Sequence, residues 1–228
     1  MIPLKDENPS ERLPVVTIAL VAANVVAFLW QLSTGLELSV LRGGVIPYEV
    51  LTFTDVEVPA VLPPPLTIVT SMFLHGGLAH IGSNMLFLWI FGNNVEDALG
   101  RGRFLAFYVA SGVVAALAQV AVSAMGEELG VPMVGASGAI AGVLAGYMVL
   151  FPHARVLTLL IIVIFIRLTW LPAGLLIGLW FALQLFSAVF GGTPGVAFFA
   201  HVGGFVAGFV LVRVMGRRAR WRARRVSW

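Results

Sequence analysis

Six apolar segments, most of them close to the length that crosses a lipid bilayer, constrain this fold more than any other feature of the sequence. A membrane-spanning helix needs about 20 apolar residues. We therefore predict an all-α, polytopic membrane protein built as a bundle of six transmembrane helices, in which the second and fourth helices are short. The segments are roughly residues 13–32, 77–92, 104–124, 134–151, 171–190 and 196–215.

The composition indicates that lipid is part of the solvent of this fold. Of the 228 residues, 59% are hydrophobic and 11% are charged, and the mean hydropathy is +0.97. Soluble domains carry about 25% charged residues. A soluble fold of this size could not bury so much apolar surface, so lipid must cover part of it.

The positions of the charges predict the orientation in the membrane. Half of the 14 Lys and Arg residues follow position 212, and a basic tail after an apolar helix is typical of a cytoplasmic anchor near anionic headgroups. With six spans, most other Lys and Arg residues lie on that same side, whereas the opposite side has Arg42 alone with six acidic residues. We predict both termini in the cytoplasm, a location in the inner cell membrane, and no nucleic-acid partner.

The predicted spans divide the chain into three parts. Residues 1–12 form a cytoplasmic N-terminal segment, residues 13–215 the membrane core, and residues 216–228 a basic cytoplasmic tail. The external loop 33–76 is rich in glycine and proline but keeps apolar patches, so we expect part of it to lie in the outer leaflet against the bundle. The apolar stretch Val156–Ile166 is too short to span, and we predict an interfacial or re-entrant segment there.

Several kinds of chemistry are excluded by missing residues. The sequence has no cysteine, no HExxH motif and no Walker-type phosphate loop, and no Asp or Glu lies inside a predicted span. Thiolate metal sites, a cysteine nucleophile and a zinc protease of that type are therefore excluded. We expect neither a metal nor a cofactor.

Glycines recur every four residues on the fourth and sixth predicted spans. Small residues at this spacing form a smooth helix face on which another helix can approach closely. We predict that the two faces pack against each other. The close-packing residues are Gly138, Gly142, Gly146, Gly204 and Gly208.

Such packing would bring Ser137 and His201 within hydrogen-bonding distance near the outer ends of their helices. A serine is activated by a neighbouring general base, and histidine suits that role near neutral pH. Alone, a serine between glycines in a membrane helix is usually a packing residue, whereas a histidine there is functional by default. Together they predict a nucleophile, Ser137, and a general base and acid, His201.

His80 and Asn84 are four residues apart, so they share one face of the second predicted helix. With the backbone N–H of Ser137, these two donors could stabilise an oxyanion. The alternative is a pair that hydrogen-bonds between helices. We interpret His75, five residues before His80, as a loop or interfacial residue off that face.

Together, these motifs resemble the rhomboid family of intramembrane serine proteases. The matching segments are Gly135–Gly138, Ala200–Gly208, and His80–Asn84 in the context of Thr70–Gly77. The resemblance implies a six-helix core and a Ser–His dyad without a third carboxylate. It further implies single-span membrane proteins as substrates, cleaved near the outer end of their helix, with access gated by the fifth span and the loop Gly191–Gly195.

Two positions depart from the family pattern. Leu66 and Thr67 stand where members often carry a Trp-Arg pair in the first external loop. Ala141 stands where some members have a tyrosine that stacks under the catalytic imidazole. We therefore expect other contacts to hold His201.

The prediction is a serine endopeptidase that uses no cofactor and whose partners are transmembrane protein substrates and the lipid bilayer. One alternative is a catalytically inert rhomboid-like protein that binds and routes membrane clients, although such a relative would be expected to lack Ser137 or His201. Another is a transporter that uses the four histidines. The absence of carboxylates in the predicted spans argues against proton or cation coupling.

Overall fold

The structure is a computed structural model that describes residues 1–54, 56, 62–126, 129–162, 165–191 and 195–216. Its described part is mostly helical, which confirms the predicted class, and it adds one small sheet. The helices are α1 (Val15–Thr34), α2 (Leu36–Gly43), α3 (Pro47–Thr52), α4 (Thr67–Thr70), α5 (Leu78–Leu99), α6 (Arg101–Ser123), α7 (Ser137–Leu150), α8 (Ala173–Phe190) and α9 (Phe198–Met215). The strands are β1 (Ile2–Asp6), β2 (Arg155–Ile162) and β3 (Phe165–Pro172).

Four of the helices within the described ranges, α1, α6, α8 and α9, are long and apolar enough to cross a membrane. The other two long helices each lack one property. Helix α5 has 22 residues but carries Asn, Glu and Asp near its end, and α7 is apolar but has 14 residues. Length and hydropathy therefore support four of the six predicted spans.

Helix α7 can be short because it lies inside the bundle. Its 14 residues extend about 21 Å, less than the ~30 Å of a bilayer core. Every residue from Gly138 to Tyr147 is buried, and α5, α6, α8 and α9 all pack on it. Protein rather than lipid surrounds this helix.

Glycines allow the backbones of α7 and α9 to meet. A Cβ on Gly204 would overlap the carbonyl of Gly138, and one on Gly208 would overlap the backbone of Gly142. A Cβ on Gly142 would in turn overlap the side chain of Ser111 on α6. Helix α6 is thus a third partner of these faces, which the sequence analysis did not include.

One predicted packing glycine lies elsewhere. The atoms nearest to a Cβ on Gly146 belong to Phe107 of α6 and Val95 of α5, and none of these three nearest atoms belongs to α9. Gly138 and Gly142 are the glycines of α7 whose backbones meet Gly204 and Gly208 of α9.

Helix α5 continues seven residues beyond residue 92, where the predicted second span ends. The added turns carry a buried carboxylate, Glu96, at a helix position where none was expected. Glu96 accepts hydrogen bonds from the backbone N–H groups of Val16 and Thr17, at 3.0 and 2.7 Å, and from the Thr17 hydroxyl at 2.8 Å. It satisfies first-turn donors of α1, whose N-terminal cap, Pro14, forms no side-chain cap.

The segment predicted to be interfacial or re-entrant forms part of a β-hairpin. Strands β2 and β3 pair antiparallel, and β1 adds to the free edge of β2, with Ile2 opposite Leu159. Pairing satisfies the backbone polar groups of a segment that is too short to span the bilayer. The Tyr147 hydroxyl donates to Asp6 at 2.6 Å and ties the sheet to α7.

Hydrogen bonds join the described parts of the external loop to one another and to the segment before α7. The Thr70 hydroxyl donates to the carbonyl of Gly43 at 2.7 Å, and the N–H of Gly135 donates to the carbonyl of Ser71 at 2.8 Å. Thr67, at one of the two divergent family positions, is buried, and its hydroxyl donates to Pro64 at 2.6 Å. These bonds hold the loop beside the start of α7.

Candidate active site

The start of α7 lies against the ring of His80. Gly135 has φ +130°, a conformation that favours glycine, and a Cβ there would lie 2.8 Å from Nε2 of His80. Ser137 is the first residue of α7, and the first N–H groups of a helix have no partner within it. The loop thus directs a hydroxyl and free backbone donors toward His80.

The structure brings Ser137 and His201 together. The Ser137 hydroxyl lies 2.8 Å from Nε2 of His201, which is in the first turn of α9. This contact depends on the glycine packing below it, because Gly204, three residues after His201, rests on the backbone of Gly138. Longer residues would hold the two helices too far apart for such short side chains to meet.

The second ring nitrogen of His201 contacts a residue that the sequence analysis missed. Nδ1 of His201 lies 2.6 Å from Oε1 of Gln184 on α8. The rings of Trp180 and Phe198 lie 6.0 and 6.3 Å from that of His201. These contacts replace the aromatic ring that Ala141 cannot supply. The sequence feature that could have indicated this contact is Gln184 itself, an amide in an otherwise apolar helix.

His80 and Asn84 line the same cavity as Ser137 and His201, which has a volume of about 980 Å³. Asn84 is buried, and its Nδ2 has no hydrogen-bond partner among the described residues. The N–H of Gly76 donates to Nδ1 of His80 at 3.2 Å, so the neutral ring carries its proton on Nε2. Each of these two side chains thus carries an N–H donor, and both residues line the cavity.

His75 lies closer to the site than expected. It precedes α5 as predicted, but it is fully buried, and its ring packs edge-on against that of His80 at 5.0 Å. Its N–H donates to Oε1 of Gln31 at 2.8 Å. Burial, with a smaller contribution from His80, lowers the pKa of His75 to about 4, so the ring is neutral at pH 7.

The side chains around the cavity are of the kinds that acyl transfer uses. Within the described ranges, no three His, Asp or Glu side chains are grouped so that they could hold a metal ion. A hydroxyl, an imidazole and unpaired donors converge instead on one cavity. A set of this kind can supply a nucleophile, a general base and donors for an oxyanion.

A sequence model of the Rhomboid domain matches residues 65–218, more than half of the chain, and this range includes His80, Asn84, Ser137 and His201. The chain belongs to the rhomboid family. Together with the four helices that are long and apolar enough to span, this membership makes it a multi-pass membrane protein of the rhomboid fold.

Individual rhomboids show how far the similarity extends. The presenilin-associated rhomboid-like protein of Homo sapiens mitochondria is 30% identical over 221 residues, 95% of this chain and 52% of that protein. The mitochondrial Rhomboid protein 1 of Saccharomyces cerevisiae is 38% identical over 93 residues, 40% of this chain and 27% of that protein. Rhomboid protease GluP of Bacillus subtilis is 30% identical over 155 residues, 65% of this chain and 26% of that protein. The chain spans about half of these relatives, or less.

Proposed function

We propose that this rhomboid is an intramembrane serine endopeptidase in which Ser137 is the nucleophile and His201 the general base. The observation that carries the proposal is the 2.8 Å contact between the Ser137 hydroxyl and Nε2 of His201 inside a cavity of the helix bundle. The name of the Bacillus subtilis relative, a protease, supports the same reaction class.

The reaction follows from the positions of the protons. Nε2 of His201 takes the proton of the Ser137 hydroxyl as the oxygen attacks the scissile carbonyl. The oxyanion accepts hydrogen bonds from the Ser137 N–H, Nδ2 of Asn84 and Nε2 of His80. His201 then protonates the departing amine, and a water molecule, activated by the same imidazole, releases the acyl group from Ser137.

The substrates and orientation belong to the same proposal. The substrates are single-span membrane proteins cleaved near the outer end of their transmembrane helix. Both termini face the cytoplasm of a cell whose inner membrane holds the six-helix core, residues 13–215. The basic tail lies outside the described residues from 217 onward, as do residues 192–194 of the proposed gating loop.

The primary test compares wild-type protein with Ser137→Ala and His201→Ala in liposomes that contain a single-span reporter. We expect each change to lower turnover at least about a thousandfold and to abolish labelling by a fluorophosphonate. Ser33→Ala, at an exposed serine at the end of α1, is the matched control and should behave as wild type. Cleavage that survives Ser137→Ala would refute Ser137 as the nucleophile, whereas no cleavage by the wild-type protein would favour an inert rhomboid that binds membrane clients.

The oxyanion assignment has its own test. Asn84→Ala removes a buried donor that has no other partner among the described residues, so we expect kcat to fall about 100- to 1000-fold with little change in KM. A rise in KM at constant kcat would instead assign Asn84 to substrate positioning.

A further inference from the structure

Gln184 is an unusual residue for its place in the fold. Apart from Gln184 and Ser187, helix α8 has only apolar and small residues. The second half of α8 contributes no buried side chain. Neighbouring Leu183, Leu185 and Phe186 are 51, 44 and 60% exposed, on the part of the helix open to lipid. An amide in such a helix is unfavourable unless it is hydrogen-bonded. Gln184 meets this requirement through His201.

With Oε1 of Gln184 facing His201, the hydrogen bond has one consistent arrangement of protons. An amide oxygen carries no hydrogen, so the 2.6 Å contact between Oε1 of Gln184 and Nδ1 of His201 requires the proton on Nδ1. A neutral imidazole has a single N–H, which leaves a lone pair on Nε2. That lone pair faces the Ser137 hydroxyl at 2.8 Å, in the tautomer that can accept its proton.

The reversed amide would give the opposite result. With its NH₂ group toward His201, Gln184 would donate to Nδ1, and the imidazole proton would lie on Nε2. Nε2 would then donate to Ser137 and could not remove its proton. The orientation of one amide on α8 therefore separates a ring that can act as a base from one that cannot.

We propose that Gln184 is a positioning residue for the Ser137–His201 dyad, whose Oε1 accepts the Nδ1 proton of His201 and keeps Nε2 free to act as the base. The inference rests on the proposed function. It assigns to a neutral amide on a neighbouring helix the orienting part that a carboxylate has in a three-residue serine protease site.

Helix α8 is held at the correct distance by an aromatic contact one turn below. Phe181 of α8 stacks on Phe205 of α9, with ring centroids 4.0 Å apart and an interplanar angle of 16°. Phe205 lies one turn after His201 on α9. The stack and the hydrogen bond join the same two helices at successive turns, so Gln184 is aligned with the imidazole.

The first experiment reads the tautomer directly. Wild-type protein with ¹⁵N-labelled histidine is studied by NMR in detergent, and the His201 signals are assigned by their loss in His201→Asn. We expect the Nδ1–H tautomer in wild type and a mixture of tautomers in Gln184→Met, which keeps the side-chain length but offers no strong acceptor. An Nε2–H ring in wild type would overturn the proposal.

The second experiment is kinetic. Gln184→Met should lower kcat for reporter cleavage about tenfold to a hundredfold with KM unchanged, the range found when histidine-orienting partners are removed at metal sites. Gln184→Glu, which retains an acceptor, should recover most of the rate. Leu185→Met places the same new side chain on an adjacent exposed position and should match wild type.

The outcomes separate this inference from the function on which it rests. A wild-type kcat in Gln184→Met, or equal losses in the Met and Glu variants, would overturn the positioning role while Ser137→Ala still established the protease. If wild-type protein neither cleaves nor takes the fluorophosphonate label, the proposed function fails and the positioning role fails with it. The NMR result would then report only a structural hydrogen bond.

Discussion

Helices α8 and α9 follow each other in the chain, have 18 residues each and are similarly apolar, yet they pack in opposite ways. Buried residues of α9 run along its length, from Ala200 to Val212, whereas those of α8 are confined to its first five residues. Small residues let α9 meet the backbone of α7. Large side chains keep most of α8 at the outside of the bundle.

The difference shows that hydropathy does not decide which helices pack closely in a membrane. Lipid is as apolar as leucine, so burial of an apolar side chain against protein brings little gain, and close van der Waals contact decides instead. The tightly packed helix carries the histidine, and the loosely packed helix carries the amide that orients it. The candidate site therefore includes the closely packed interface of α7 with α9 and the more loosely packed interface of α8 with α9.

The largest expected effect on stability comes from replacing a glycine by leucine on α9, compared with the same replacement on α8. Gly208→Leu would force α9 away from Gly142, and we expect it to destabilise the fold by about 3 kcal/mol or more. Gly178→Leu on α8 enters open space and should change stability by less than about 1 kcal/mol. Thermal unfolding in detergent measures both; equal melting temperatures would contradict the comparison.

Variants of Glu96 test whether hydrogen bonds, in place of close packing, can hold a helix such as α1 in the bundle. Glu96→Ala would leave three donors of Val16 and Thr17 without their acceptor, and we expect a loss of about 3 kcal/mol. Glu96→Gln keeps one acceptor oxygen and should lose about half as much. If the two variants unfold alike, the charge rather than the hydrogen bonds holds α1.

A smaller effect is expected where α8 touches α9. Phe181→Leu removes the ring stacked on Phe205 and should destabilise the fold by about 1 kcal/mol. Because the stack aligns Gln184, the same variant should also reduce kcat by a few-fold. A full kcat with a lowered melting temperature would show that the hydrogen bond holds α8 without the stack.

The smallest effect concerns the sheet. Burial raises the pKa of the Asp6 carboxyl above its ordinary value of 3.8, against the hydrogen bond from Tyr147. The folded state therefore binds this proton more tightly, and the stability gained from protonation at low pH is lost as pH rises through the raised pKa. Asp6→Asn should flatten this loss between pH 4 and neutrality in melting curves. An unchanged slope would assign the pH dependence to other groups.

Much of the architecture could be predicted from the sequence because it depends on local patterns. Apolar runs located the six long helices, to within about three residues except at the end of α5, where Asn93, Asn94 and Glu96 interrupt the pattern. Asn94 and Glu96 form hydrogen bonds to other segments, at Asn8 and at the start of α1, which a hydropathy profile cannot indicate. The β-hairpin was missed because a short apolar run has the same composition in a strand as in a helix.

The sequence alone determined that the chain is a mostly helical membrane protein with glycine-lined faces and a serine and a histidine near the N-terminal ends of two helices. These features follow from residue type and spacing. The tertiary structure decided the rest: the role of α6 in the glycine contacts, the place of Glu96 beneath α1, and the contact of Gln184 with His201. Each joins residues at least 17 positions apart, and the direction of a side chain between helices is set by packing angles that spacing along the chain does not encode.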